Sequence, residues 1–193
     1  MKNLLKHSLL GLCIASASLA NAATYVIDDS KSGAHSQIDV KVKHIGISWV
    51  KGRFNDFSGS FEYDKDNINA SSVDVTIQTQ SFDSNHAKRD KHITGSDYLN
   101  ASKYPTATFK STSISDLGDG KVKVDGDLNL HGVTKAITFD ANLIGEGASP
   151  WGDYRAGFEG SVDLKFSDFG MDQKRIGTDD FTVNMFFEGK AKK

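Results

Sequence analysis

Beyond position 22, the side chains best suited to chemistry are five histidines: His35, His44, His86, His92 and His131. Neutral imidazole ligates metals and moves protons near neutral pH. No two of these have the His-x3-His spacing that places imidazoles one helical turn apart, so no metal centre is expected. Asp90 and His92 offer an acid–base pair, but side chains two apart on a helix point away from each other. A serine nucleophile needs a histidine and an orienting carboxylate, and the Gly-x-Ser-x-Gly elbow does not occur. Glycine-rich phosphate loops are also missing. Nothing in these spacings asks for an enzyme or a cofactor, and the expectation is a binding protein with neither.

The segment 1–22 reads as a cleavable secretory signal. Lys2, Lys6 and His7 precede an apolar stretch from Leu9 to Ala15, and Ala20-Asn21-Ala22 supplies the small-x-small cleavage pattern. The only cysteine, Cys13, lies inside it behind a bulky Leu12, which argues against lipid anchoring and leaves 23–193 without disulfides, thiol nucleophiles or cysteine metal sites. No later run approaches the ~20 apolar residues of a membrane-spanning helix. The expected compartment is the periplasm. Losing Lys2 and Lys6 from 23 basic residues, against 25 acidic ones, leaves an acidic product with no basic stripe for nucleic acid.

The elements that must position these groups are strands, because the dominant periodicity is two. Ile38, Val40 and Val42 alternate with Gln37, Asp39, Lys41 and Lys43, with Ser36 and His44 on the apolar face. Val73, Val75 and Ile77 repeat the pattern. Val122 to Leu130 follows a turn at 117–120, and Ile137 to Leu143 follows a second turn at His131-Gly132, with His131 assigned to the wet face. Later rows are Tyr154 to Phe166 and Phe181 to Phe187. Phe54 lies out of phase with Phe57 and Phe61, which predicts a bulge near Asn55-Asp56. With Tyr25–Asp28 and 106–114 this gives eight or nine strands. One short helix is expected near residues 85–94, capped by Ser84 or Asn85, with His86, Arg89 and Ile93 on one face.

The fold class is therefore all-β: an antiparallel eight-stranded barrel, since closure removes exposed edges, forming one domain over 23–193. Eight strands enclose just enough space to be filled by side chains or to hold one small ligand. The candidate lumen residues are Ile38, Val40, Val42, Phe54, Phe109, Leu128, Phe139, Phe158 and Val162. Large residues mixed with small ones such as Ala141 and Gly160 suit a tunnel, and equally suit a filled, tapering barrel. A ligand in a tunnel would be long and apolar, with its head held by His44, Arg89 and His92. Each of these also has a plain role: a backbone hydrogen bond for His44, or a surface ion pair of Arg89 with Asp90, worth little.

Several blocks in order resemble the YceI-like family, described as polyisoprenoid-binding: His35-Ser36-x-Ile38-x-Val40-x-Val42-x-His44, Gly52-x-Phe54-x-x-Phe57-x-Gly59, Arg89-Asp90-x-His92-Ile93 and Tyr104-Pro105-x-Ala107-x-Phe109-Lys110-Ser111. Gly126-x-Leu128-x-Leu130-x-Gly132-Val133-Thr134-Lys135, Phe169-Gly170 and Ile176-Gly177-x-Asp179 continue it. Val40 stands where that family often has Phe. The resemblance implies a lipocalin-like barrel whose lumen holds an isoprenoid lipid, a polyprenyl phosphate or isoprenoid quinone, or a related amphiphile. Transient membrane contact and a dimer are compatible with the sequence. Two readings of other classes are an enzyme acting on such a lipid through His44, Asp90 and His92, and a filled-barrel interaction module.

Overall fold

The computed structural model describes residues 22–28, 35–171 and 176–192; most of the expected leader, Cys13 included, lies outside them. Alternating apolar residues give eleven strands in a closed antiparallel sheet: β1 (Ala23–Ile27), β2 (Gln37–His44), β3 (Ser48–Phe54), β4 (Phe57–Tyr63), β5 (Ser72–Gln78), β6 (Phe82–Asp83), β7 (Thr106–Gly118), β8 (Lys121–Leu130), β9 (Val133–Ala148), β10 (Tyr154–Lys165) and β11 (Asp180–Ala191). There are more strands than expected because the first three staves of the eight-stave barrel are each broken in two.

β1 and β2 are successive halves of one stave: both lie against β11, with Ile27 opposite Gly189 and Gln37 opposite Phe186. The break is bridged by side-chain mimicry of the ladder. The Ser36 hydroxyl accepts from the Glu188 amide at 3.0 Å and donates to the Glu188 carbonyl at 3.2 Å, while the Asp28 amide donates to that same carbonyl at 2.8 Å. This is why a serine sits buried on the apolar face. β3 and β4 form the second stave, interrupted at Asn55-Asp56 where the phase of the phenylalanines changes. Phe54 and Phe57 are both buried, as a bulge permits. The third stave, β5 and β6, kinks alongside at a 3-10 turn, Thr79–Ser81. The amides of Asn55 and Asp56 donate to the Ser81 carbonyl and hydroxyl at 3.1 and 3.0 Å, so the two irregularities satisfy each other.

The remaining staves run up and down to β11, which closes on β1. β9 carries an extra residue, Ile144, where the register with β10 shifts between Gly157 and Phe158. The bulge shifts the phase of β9 alone; β10 runs in unbroken register with β11, and Tyr154, at the first position of β10, is 44% exposed.

The helix, α1, is Ala87–Ile93. Its N-cap is His86 rather than Ser84 or Asn85: the His86 ring accepts from the Arg89 amide at 3.2 Å. Ser84 is unavailable because its hydroxyl serves Asp90 and Arg89. Asn85, at a φ of 61°, donates its amide to Asp83. The loop after α1 and the β10–β11 connection press Tyr98, Leu99, Ala101, Phe166, Phe169 and Met171 into one end of the barrel. His131 joins this plug, contrary to its wet assignment, because the turn gives it a φ of 54°. Its Nδ1 lies 3.0 Å from the Phe169 carbonyl and its ring meets Tyr104 edge-on at 4.6 Å.

Candidate functional site: an apolar lumen with a polar mouth

The barrel interior is not filled. A cavity of about 400 Å³ runs through it, within the range of roughly 300–1,000 Å³ usual for ligand pockets. All nine candidate lumen residues line it: Ile38, Val40 and Val42 from β2, Phe54 from β3, Phe109 from β7, Leu128 from β8, Phe139 from β9, and Phe158 and Val162 from β10. Their burial separates wall from void. Ile38 is 1% exposed and Phe54 is buried, whereas the other seven keep a share of accessible surface although they point inward. An apolar side chain inside a closed barrel stays accessible only if it faces unoccupied space. The widest part of the lumen therefore lies between β2, β10 and the β7–β9 wall.

Aromatic rings set its shape. Phe158 meets Phe61 and Tyr63 edge-on at 5.5 and 5.2 Å, and Phe109 tilts against Phe139 at 5.6 Å. Such pairs hold their rings in fixed orientations, so the lumen wall is preorganised. Ile68 and Ile176 also line the cavity. Both come from irregular segments with no periodic signal, so alternation missed them.

The three head-group candidates, His44, Arg89 and His92, all line the cavity at the α1 end. His44 and His92 are exposed and Arg89 partly so, so the mouth is the part of this end left beside the plug, whose Tyr98, Leu99, Phe166 and Met171 also line the cavity. The helical face turned to the lumen is Arg89, His92 and Ile93 rather than His86, Arg89 and Ile93. Arg89 is clamped: its Nε donates to the Ser84 hydroxyl at 2.6 Å and its Nη2 to the Ser84 carbonyl at 2.7 Å. The same Ser84 donates its amide and hydroxyl to Asp90. His92 lies 3.4 Å from Asp97 and meets Tyr98 edge-on at 5.0 Å. Asp90 and His92, weighed as an acid–base pair, thus face different partners.

Partial burial works to raise the Asp90 pKa. The Ser84 hydroxyl and amide, with the His86 backbone and the Arg89 charge, outweigh it and hold the carboxyl below its ordinary value. A depressed carboxylate adds stability above its unfolded pKa, and that stability is lost as pH falls through the folded pKa. Ser84→Ala should therefore cost about 1–3 kcal/mol at neutral pH, where a charge-assisted hydrogen bond is lost. The cost should shrink as pH falls through the folded-state pKa of Asp90, where the carboxylate is lost and with it the charge-assisted bond. Urea midpoints of the two proteins across that range check it; a pH-independent difference would contradict the assigned role.

Among the described residues one cluster gathers potential metal ligands, Asp28, His35 and Glu188. They are already committed to one another and to their neighbours. His35 Nδ1 lies 2.6 Å from Asp28, and Glu188 accepts from Arg155. The cluster fastens the broken first stave to β11, and none of its members lines the cavity.

Comparison with known proteins agrees with this architecture. A UPF0312 protein of Vibrio vulnificus is 55% identical over 162 residues, covering 84% of this chain and 85% of that one. The crystal structure of BcnA from Burkholderia cenocepacia superposes with a TM-score of 0.73 at 25% identity, over 80% of this chain and 96% of that one. A polyisoprenoid binding domain from Saccharophagus degradans shares the fold, with a TM-score of 0.66 at 16% identity over 89% and 99% of the two chains. The YceI-like domain model matches residues 25–189, from the middle of β1 to near the end of β11. With nearly the whole barrel inside that match, the chain belongs to the YceI-like family.

Proposed function

We propose that this protein is a periplasmic binding protein for the tail of an isoprenoid lipid or a similar long amphiphile, carried in the barrel lumen with its polar head at His44, Arg89 and His92. The observation that carries the reading is the partly accessible apolar rows inside a closed barrel. At about 30 Å³ per water-sized group, a 400 Å³ lumen takes roughly a dozen chain carbons. At about 0.8 kcal/mol per methylene, that offers near 10 kcal/mol before ordering costs. A longer chain would continue out through the mouth. The fixed Arg89 guanidinium favours a phosphate or carbonyl oxygen there. The polyisoprenoid binding named for the Saccharophagus domain supports the ligand class, and the resemblance of segment 1–22 to a secretory signal supports the compartment.

The test is organic extraction of protein purified from its own cell envelope, followed by mass spectrometry. One prenyl or comparable long-chain amphiphile per barrel is the expected result. An empty extract, together with no uptake of farnesyl or longer prenyl probes in native mass spectrometry, would overturn the reading.

A further inference from the structure

The β2–β3 hairpin beside the mouth exposes three large apolar side chains: Ile45 at 55%, Ile47 at 81% and Trp49 at 54%. Ile45 does so at a φ of 44°, a conformation costly for a β-branched residue. A turn selected only for stability would carry Asn or Gly there. The tip is continuous with the lumen, since His44 and Ile176 both line the cavity and the Ile45 amide donates to the Ile176 carbonyl at 3.4 Å.

The outer face of the hairpin is basic. Lys41 stands opposite Lys51 and Lys43 opposite Trp49, and the Lys41 ammonium lies 4.5 Å from the centre of the Trp49 ring. Like charges directly opposed across a ladder are destabilising. The nearest acids by register are Asp39, opposite Arg53, and Asp180, which pairs with Lys165 beside Lys43. Lys88 and Lys91 of α1 add exposed ammonium groups at the same end. The far end of the barrel has an apolar edge of its own, Leu117, Ile144, Trp151 and Tyr154, but its charges are mixed: Asp116, Asp119, Glu146 and Asp153 stand among Lys65, Lys121, Arg155 and Lys190, the last two paired with Asp153. What sets the hairpin apart is local: Lys41, Lys43 and Lys51 share its outer face with no acid between them.

We infer that the β2–β3 hairpin is a membrane-docking element: Ile45, Ile47 and Trp49 enter the headgroup boundary of an anionic bilayer, and Lys41, Lys43 and Lys51 meet its phosphates, which sets the barrel mouth-down on the lipid. Amphipathic aromatic residues and lysine are the side chains that favour that boundary. The docking is independent of what the lumen carries.

The test uses the barrel from Ala23 onward, which contains every described strand and omits an apolar leader that would itself bind lipid. The chain has two tryptophans, so Trp151→Phe leaves Trp49 as sole reporter and Trp49→Phe leaves Trp151. Vesicles of equal parts phosphatidylglycerol and phosphatidylcholine should shift Trp49 emission to the blue and leave Trp151 unmoved. Lys41→Gln with Lys51→Gln should weaken vesicle binding roughly 30-fold, at about fivefold per lysine near a charged surface. Ile45→Asn with Ile47→Ser should weaken binding at least as far while the melting temperature holds or rises, because Asn accepts the positive φ. No Trp49 shift, an equal shift of Trp151, or a Trp49 shift on concentrating the protein without vesicles would each overturn the inference; the last would assign the face to a second copy.

Discussion

Val40→Phe combined with Val162→Phe should reduce binding of a prenyl probe at least 100-fold while raising the melting temperature by a few degrees. The two valines flank Val183 on either side of β11, and all three line the cavity. Each substitution adds ring carbons where the wall faces unoccupied space. Together the two rings take a substantial share of a roughly 400 Å³ lumen at its middle. Every displaced ligand methylene forfeits about 0.8 kcal/mol, whereas filling a void inside a fold commonly adds about 0.5–2 kcal/mol of stability. The opposite signs separate a blocked lumen from a damaged protein. Val162→Asp should also abolish binding, through an uncompensated carboxylate beside the tail, but with no gain in stability. Unchanged affinity in the double phenylalanine variant, measured by fluorescent-probe titration, would show that the ligand lies elsewhere.

Gly189→Val should destabilise the barrel by about 3 kcal/mol, at the upper end of what overpacking costs, lowering the melting temperature by roughly 10 °C for a domain of this size. Strand propensity alone predicts the reverse, since valine is favoured in strands and glycine is not. The reason lies at the seam that closes the sheet. Gly189 on β11 faces Ile27 of β1, and the Phe61 ring lies across it, stacked on Tyr25 with centroids 4.9 Å apart. A Cβ on Gly189 would fall inside the contact surface of the Phe61 ring and 2.8 Å from the Tyr25 Cβ. An aromatic ring laid over a strand glycine is a known device for fixing register and curvature in closed sheets. Gly189→Ala should cost less than Gly189→Val, and Phe61→Leu should rescue part of the loss by vacating the space. A neutral Gly189→Val in thermal unfolding would mean that the seam tolerates separation.

The two results bear on different levels of the molecule. Alternation showed that Val40 and Val162 point inward, because a pleated strand sends successive side chains to opposite faces whatever its partner. The same rule exposed the fault between Phe54 and Phe57, since a change of phase within one apolar strand requires an extra residue. The helix was legible from its flanking residues, but its cap was not. Ser84, Asn85 and His86 can all accept an amide hydrogen, and the choice fell to His86 once Asp90 and Arg89 had claimed Ser84. His131 was misplaced for a related reason: a positive φ at a turn breaks the phase that strand alternation carries forward. Ile68 and Ile176 left no trace in the periodicity because side chains on irregular backbone follow no period.

The sequence by itself determined an all-β barrel, its inward rows and the candidates for a polar mouth, because these follow from the local geometry of strands and turns. Only the tertiary structure decided that the interior is open. Whether eight rows of mixed large and small residues fill a barrel depends on its radius and on how bulges tilt each row, and neither is a property of any one strand. The same holds for charge. The sequence supplies a net acidic total, but the fold decides where it is locally reversed, setting Lys41, Lys43 and Lys51 together on the outer face of the β2–β3 hairpin beside exposed Ile45, Ile47 and Trp49, because register places residues of two strands opposite one another.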